Sequence, residues 1–362
     1  GYLREPASIQ SYSALGCIAI QANQNEMHGG QSVPNFDYAM APGVAKTFRK
    51  EYFKALGQYL NAFCSLEYGQ GQALAQNAKA QVGEDVSMGQ PQLYGAQLVP
   101  WLAQQTLPQG GTLTTAQAQK AHDMATQTAM AETDRATYQA MEALVHNLNT
   151  MNSRAGAQVP FSSVNYGTDF SPEGRMVIRE LLSATVEGLG HGEVPVFPIQ
   201  IFKVKEGVSW CEEDYRAAVR DFDKALAGEI RFRTPNFDLL VEACRTTSVA
   251  LFPNFMFLDA PFNRHEKWRI DDPDRFRYEV ATMGCRTRVI GNVYDPTREI
   301  TTGRGNLSYT SINLPRLGLL ANKNLDLFFE LLDQKIDLVI QQLLDRFRIQ
   351  GQKKVINFPF LM

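Results

Sequence analysis

The spacing of apolar residues along the chain changes near residue 150. Before that point, apolar and small residues recur at the period of a helix, first in a segment that Gly29 and Gly30 interrupt. Pro42 and Gly43 indicate a further loop. Residues 44–66 then place one apolar stripe on a helical face, formed by Val44, Phe48, Tyr52, Phe53, Leu56, Leu60 and Phe63. The pattern predicts a helix, a loop and a long amphipathic helix.

The next hundred residues hold one weak and one strong helical pattern. Residues 67–113 are rich in Gln, Ala and Gly, and we interpret them as a helical or mobile insertion. Residues 114–151 contain few helix breakers and open with Thr114 and Thr115, which are candidate N-caps. This second segment predicts another long helix or a broken pair of helices.

Beyond residue 150, short β-prone runs alternate with helical stretches. The runs are QVPFSSVNY, VPVFPIQIFKV, VALFPNFMFL and TRVIGNVY. This alternation predicts βαβ units and a mainly parallel sheet, so the expected fold class is α/β. The later stretch NLDLFFELLDQKIDLVIQQLLDRFRIQG keeps a 3.6-residue period up to a glycine and predicts a final helix. No repeat or Pro-rich linker divides the chain, which favours one large unit.

Composition limits the class of protein without naming it. The 362 residues, 44% hydrophobic and 20% charged, can build one large core or two ordinary domains. A net charge of -3 gives no global attraction to nucleic acid or anionic membranes. No apolar run reaches the roughly 18–20 residues that span a bilayer, so a cytoplasmic protein is expected. The start at Gly1 and the apolar end VINFPFLM suggest part of a longer protein.

One cysteine stands in a setting typical of reactive thiols. Cys285 follows a glycine and precedes two arginines in MGCRTRVIG, which favours a flexible backbone and a thiolate. An arbitrary cysteine is more often a buried, inert thiol, so the surrounding motif decides. Met283 lies two residues earlier, where a flexible core filler is an equally good interpretation. Neither a disulfide framework nor a zinc site is predicted from the five widely spaced cysteines, Cys17, Cys64, Cys211, Cys244 and Cys285.

An asparagine is the second candidate for a site residue. Asn306 lies in GRGNLSYTSIN, where Gly303 and Gly305 allow close backbone approach to a ligand. Its amide can both donate and accept hydrogen bonds to ribose hydroxyls. An ordinary turn asparagine is the alternative interpretation, and Asn313 is the fallback for the same role.

Two further segments are candidates for contacts with a substrate or an effector. His28, Gly29 and Gly30 offer successive backbone amides that can line a phosphate loop, or can form a helix C-cap and a turn. Ser8 precedes an apparent helix and can contact a phosphate or simply cap the helix. Four isolated acids are interpreted as caps, salt-bridge partners or surface charges: Glu26, Asp37, Asp169 and Asp259.

Four stretches of the chain together resemble the anaerobic, class III ribonucleoside-triphosphate reductases. They are MGCRTRVIGNVYDPTREITTGRGNLSYTSIN, NQNEMHGGQSVPNFDYAMAPGV, HNLNTMNSRAGAQVPFSSVNYGTDFSPEGRMVIRELL and EVPVFPIQIFKVKEGVSW. The resemblance covers nearly the whole chain apart from its middle. It implies the central barrel portion of the large catalytic subunit. Residues 1–362 would then form a single, partial domain of a ten-stranded α/β barrel.

The resemblance also implies roles for individual residues. Cys285 corresponds to the cysteine that becomes a thiyl radical and abstracts the hydrogen from the ribose 3′ carbon. Asn306 corresponds to an asparagine at the active site, and Met283 to a methionine beside the cysteine. Cys17 is the only early candidate for a second active-site cysteine, and because it lies on a predicted helix it is not assigned that role.

Other parts of such a reductase are expected outside this sequence. The resemblance implies a C-terminal glycyl radical, a nearby zinc site and, in many relatives, an ATP-cone domain, and this stretch alone is expected to be inactive. It also implies formate as reductant, ATP or deoxynucleotide effectors, a radical-SAM iron-sulfur activase and a homodimer. Two alternatives stay open: another glycyl-radical enzyme on the same barrel, and a truncated reductase that binds nucleotides and dimerises without catalysis.

Overall fold

A parallel sheet lies at the centre of the computed structural model, which describes residues 4–67, 69–153, 156–284, 287–292, 295–297, 299 and 301–358. Its four strands are hydrogen-bonded in chain order: β1 (Gln31–Val33), β2 (Ser162–Tyr166), β3 (Ile199–Val204) and β4 (Asn254–Phe257). A separate antiparallel pair follows, formed by β5 (Ala281–Met283) and β6 (Thr287–Val289). The α/β prediction is confirmed at this level, and a ten-stranded barrel stays a prediction.

Five helices precede β2 and form a layer: α1 (Ile9–Glu26), α2 (Phe36–Cys64), α3 (Gln70–Val82), α4 (Pro91–Ala103) and α5 (Thr115–Thr150). The long helices α2 and α5 pack against each other, and α2 also contacts β2. The predicted stripe of α2 is buried from Val44 to Leu60, with Phe63 partly buried beside it. The apolar face of α2 therefore joins the helical layer to the sheet.

The loop predicted at Pro42 and Gly43 is wrong. α2 begins at Phe36 and continues through both residues. The reason is tertiary: a Cβ added at Gly43 would lie 2.8 Å from a ring carbon of Tyr12 and 3.1 Å from the Cα of Ile9. α1 therefore crosses α2 closely at this glycine, and this packing overrides the local tendency of proline to end a helix.

α5 is one unbroken helix of 36 residues. The Thr114 hydroxyl accepts a hydrogen bond from the Gln117 N–H at 3.2 Å, and the Thr114 N–H donates to the Gln117 side chain at 3.0 Å. This reciprocal capping box satisfies two backbone donors at the helix start. Of the two candidates, Thr114 is the N-cap, and α3 and α4 lie within the segment 67–113.

The remaining helices connect or follow the strands: α6 (Pro172–Glu187), α7 (Glu212–Arg220), α8 (Phe222–Leu226), α9 (Phe237–Ala250), α10 (Leu314–Ala321) and α11 (Leu325–Gly351). The run TRVIGNVY, expected to continue the parallel alternation, instead supplies the antiparallel strand β6. α11 ends at Gly351 as predicted, but none of its described residues is buried. Across the described part of the chain, no helix combines the length and apolar character needed to cross a bilayer.

Candidate functional site

The strands that flank Cys285 in sequence are β5 and β6, which pair antiparallel. Met283 pairs with Thr287, so the three residues between them are Gly284, Cys285 and Arg286. Only Gly284 is among the described residues; the predicted catalytic Cys285 lies outside them. Gly284 has a φ of 64°, a left-handed conformation that glycine adopts without steric cost. Met283 is half-buried at the end of β5.

The HGG segment and Asn306 meet beside Gly284. His28 and Asn306 form an isolated antiparallel bridge. A Cβ added at Gly29 would lie 2.4 Å from the Asn306 Nδ2, and one added at Gly30 would lie 3.2 Å from the Gly284 Cα. Both glycines therefore sit where no side chain fits. The fold therefore brings His28 and Gly29 against Asn306, and Gly30 against Gly284, the residue that precedes Cys285.

The two glycines before Asn306 have different surroundings. A Cβ added at Gly305 would lie 1.7 Å from the Met27 Cε, so this glycine makes room for a methionine of the protein. Gly305 also lines a cavity beside β6, so the expectation that it admits a ligand stays a prediction. Gly303 has a φ of 67° and lines a different cavity.

A cavity of about 430 Å³ adjoins β5. It offers hydroxyls, amides and one guanidinium, which suit a hydroxylated, anionic ligand. Arg304 also donates to the carbonyl oxygens of Ile290 and Gly291. The cavity walls come from the end of α1, from β1, from β5 and from residues 301–304, namely Asn23, Met27, Gln31, Ser32, Pro34, Ala281, Thr282, Met283, Val289, Thr301, Thr302, Gly303 and Arg304.

A buried ion pair joins β3 to the residue two positions before β5. The Lys203 Nζ is 3.2 Å from the Glu279 Oε2, and both side chains are at most 1% exposed. Lys203 also donates to the Asn35 Oδ1 at 2.7 Å, while Glu279 accepts from the Thr168 hydroxyl at 2.8 Å and from the Trp268 indole at 3.2 Å. Sequence reasoning missed this network. The available signal was a lysine inside the apolar run IQIFKV.

Asp37 is not a surface charge. It is 1% exposed, and its Oδ2 accepts the backbone N–H groups of Gly167, Thr168 and Asp169 at 2.8–3.1 Å. Burial and, to a smaller extent, the nearby Asp169 raise the pKa of Asp37 to about 6, against the lowering effect of these hydrogen bonds. The carboxylate therefore fixes the turn that follows β2.

Ser8 and Cys17 lie on α1, apart from this cluster. The Ser8 hydroxyl accepts a hydrogen bond from the Ser11 N–H at 3.4 Å and caps the helix. The 18 residues of α1 span about 27 Å, so a phosphate at Ser8 would be far from His28. Burial raises the pKa of the Cys17 thiol to about 11, which is typical of an inert cysteine. No group of three potential metal ligands occurs among the described residues.

Comparison with known proteins gives one consistent result. A family model described as anaerobic ribonucleoside-triphosphate reductase matches residues 1–362. Proteins of that name are similar to this chain in Haemophilus influenzae (26% identity over 222 residues, 61% of this chain and 27% of the relative) and in enterobacteria phage T4 (27% over 223 residues, 60% and 32%). The matched region thus spans less than a third of each relative's length. Because the family match extends over the whole chain, the chain belongs to the anaerobic ribonucleoside-triphosphate reductase family.

Proposed function

We propose that this chain carries the hydrogen-abstracting site of an enzyme that reduces ribonucleoside triphosphates to deoxyribonucleoside triphosphates under anaerobic conditions. The observation that carries this proposal is that Gly30 lies against Gly284, directly before Cys285 in sequence, while the adjacent His28 and Gly29 lie against Asn306. Family membership supports the choice of reaction, and the close contacts at Gly29 and Gly30 give a reason for glycine at both positions.

Cys285 would act as a thiyl radical. It would take the hydrogen atom from the ribose 3′ carbon, becoming a thiol, and return a hydrogen atom after reduction of the neighbouring carbon. A thiol suits this role because its S–H bond is comparable in strength to the C–H bond that breaks. The radical would come from a glycyl radical outside these residues, made by a radical-SAM iron-sulfur activase.

Asn306 and Met283 would flank the reacting ribose. The Asn306 amide can hydrogen-bond ribose hydroxyls, and it lies against Gly29, the neighbour of the Gly30 that approaches Gly284. Met283 lines the cavity next to β5. The backbone of His28, Gly29 and Gly30 would approach the substrate from the opposite side, while Ser8 as a phosphate contact would belong to a separate effector site.

The wider reductase is also inferred. The sheet described here would be part of a ten-stranded barrel, with residues 1–362 in one partial domain. Formate would supply the two reducing electrons, a zinc site would lie near the glycyl radical, and ATP or deoxynucleotides would act as effectors of a homodimer in the cytoplasm. Support for these inferences is the family membership.

The experiment compares two cysteine variants of the full-length protein under anaerobic conditions. With activase, formate and a ribonucleoside triphosphate, Cys285→Ser should form the glycyl radical, seen by electron paramagnetic resonance, and make no deoxynucleotide. Cys244→Ser is the matched control, because Cys244 is an exposed cysteine on α9. It should retain wild-type turnover. Turnover by Cys285→Ser, or a wild-type protein that makes no deoxynucleotide, would overturn the proposal.

A further inference from the structure

The side chain of Asn165 pairs with the backbone of β5. Asn165 lies in β2 and is fully buried. Its Oδ1 accepts the Thr282 N–H at 2.9 Å, and its Nδ2 donates to the Thr282 carbonyl at 3.0 Å. Two opposite hydrogen bonds to one residue fix both the position and the orientation of that residue's backbone. Thr282 is three positions before Cys285 in the sequence.

In the described part of the chain, β5 forms no backbone ladder with the four-stranded sheet, so it depends on such contacts. Its hydrogen-bonded partner strand is β6, and the Ser32 and Asn165 side chains join it to β1 and β2. Thr282 is only 5% exposed, so its peptide groups need partners within the protein. Asn165 supplies a hydrogen-bond partner for the N–H and another for the carbonyl oxygen of Thr282.

Ser32 and Glu279 complete the attachment. The Ser32 hydroxyl donates to the same Thr282 carbonyl at 2.7 Å and accepts from the Asn165 Nδ2 at 3.1 Å. Glu279, two residues before β5, is held by the buried Lys203. Three polar side chains, one each from β1, β2 and β3, thus hold a segment of five residues, which is more directional restraint than apolar packing of a three-residue strand provides.

We propose that Asn165 is a positioning residue for the radical cysteine: it fixes β5 and so sets where the following Met283, Gly284 and Cys285 meet the substrate. This role rests on the proposed function. Displacements of about 1 Å at a reacting group can cost about 10²-fold in rate. Asn165 therefore acts on kcat through Thr282, without touching the substrate itself.

The test uses the activated full-length enzyme and three variants. Asn165→Ala removes both bonds to Thr282, and Asn165→Asp keeps the size and the acceptor but loses the donor at neutral pH. Asn61→Ala is the control, because Asn61 makes a side-chain bond to the Gly71 N–H at 2.7 Å between α2 and α3, away from β5. Glycyl-radical content, kcat, KM, Tm and hydrogen exchange of the Thr282 amide are measured for each.

We expect kcat to fall about 10²-fold in Asn165→Ala, and by less in Asn165→Asp, with KM and radical content near wild type. Thr282 exchange should accelerate in both, and the Asn61 control should lose Tm but not kcat. If Asn165→Ala does not fold, Ser32→Ala must show a smaller fall in kcat with faster Thr282 exchange.

Two results would overturn the inference, and they can be told apart. If wild-type enzyme turns over and Asn165→Ala loses no more kcat than Asn61→Ala, Asn165 is structural and the proposed function stands. If wild-type enzyme makes no deoxynucleotide, the proposed function fails and the positioning role fails with it.

Discussion

The helical layer and the region where residues 279–283 meet the four-stranded sheet, called here the β5 edge, are both buried, but different forces hold them together. Side chains such as Phe48, Leu56 and Leu144 pack in the layer with no exposed surface and no charge. At the β5 edge, Lys203 and Glu279 are equally buried and are held by ion pairing and hydrogen bonds. Apolar packing tolerates small shifts, whereas hydrogen bonds fix direction. The difference indicates that the polar contacts at the β5 edge set the position of β5, whereas the apolar packing of the helical layer mainly stabilises the fold.

Breaking the buried ion pair should give the largest effect. Glu279→Leu leaves Lys203 charged without its partner, and Lys203→Met does the reverse, so each should cost about 3–5 kcal/mol in the free energy of unfolding. The double variant should be more stable than either single one, because no uncompensated charge remains. Urea denaturation measures all three. Single variants that lose less than about 1 kcal/mol would show that this edge is not held by the pair.

A cavity in the helical layer should cost about as much or slightly less. Leu56→Ala removes a fully buried side chain from α2 and should lower the free energy of unfolding by about 2–5 kcal/mol. Leu338→Ala is the matched control, since Leu338 lies on α11 and is 62% exposed. It should change stability by at most about 0.5 kcal/mol. An equal loss at Leu338 would mean that α11 is covered in solution.

The third effect is a pH dependence of stability that arises at Asp37, beside the turn after β2. The pKa of Asp37 is about 6 in the fold, above the value of about 3.9 in an unfolded chain. The folded state therefore binds more protons, and stability should fall by about 3 kcal/mol as the pH rises from about 4 to about 6. Asp37→Asn should remove this slope. The control Asp326→Asn, on exposed α11, should leave it unchanged, and a slope that persists in Asp37→Asn would contradict the assignment.

The smallest effect, of opposite sign, is expected in the helical layer. His122 is 3% exposed, and its Nδ1 lies 2.7 Å from the Tyr52 hydroxyl. Burial lowers the pKa of His122 below its usual value of about 6.5, so the unfolded chain binds the proton more readily. Stability should therefore fall as the pH drops below about 6.5. His122→Gln should weaken this loss in a series of thermal melts, whereas exposed His191→Gln should not; equal behaviour of the two would refute the idea.

Local patterns predicted where the helices form better than they predicted how deeply each helix is buried. α2 and α11 have similar lengths and the same apolar period, yet α2 is buried along its stripe and α11 has no buried residue. The start of α5 was predicted to within one residue, at Thr114 or Thr115, and the capping box with Gln117 shows that Thr114 is the N-cap. Pro42 was misread because the contact that keeps α2 helical comes from Tyr12 on another helix.

The amino-acid pattern was sufficient for the α/β class, the long helices, the resemblance to the reductase family and the candidates Cys285, Asn306 and residues 28–30. Three features needed the folded chain: His28 and Asn306 lie side by side, Asn165 holds Thr282, and Lys203 is paired inside the protein. Sequence signals and buried polar contacts differ in how far apart along the chain their partners lie. Periodicity and capping act over a few residues, whereas the partner of a buried polar group is fixed by how distant strands and loops pack.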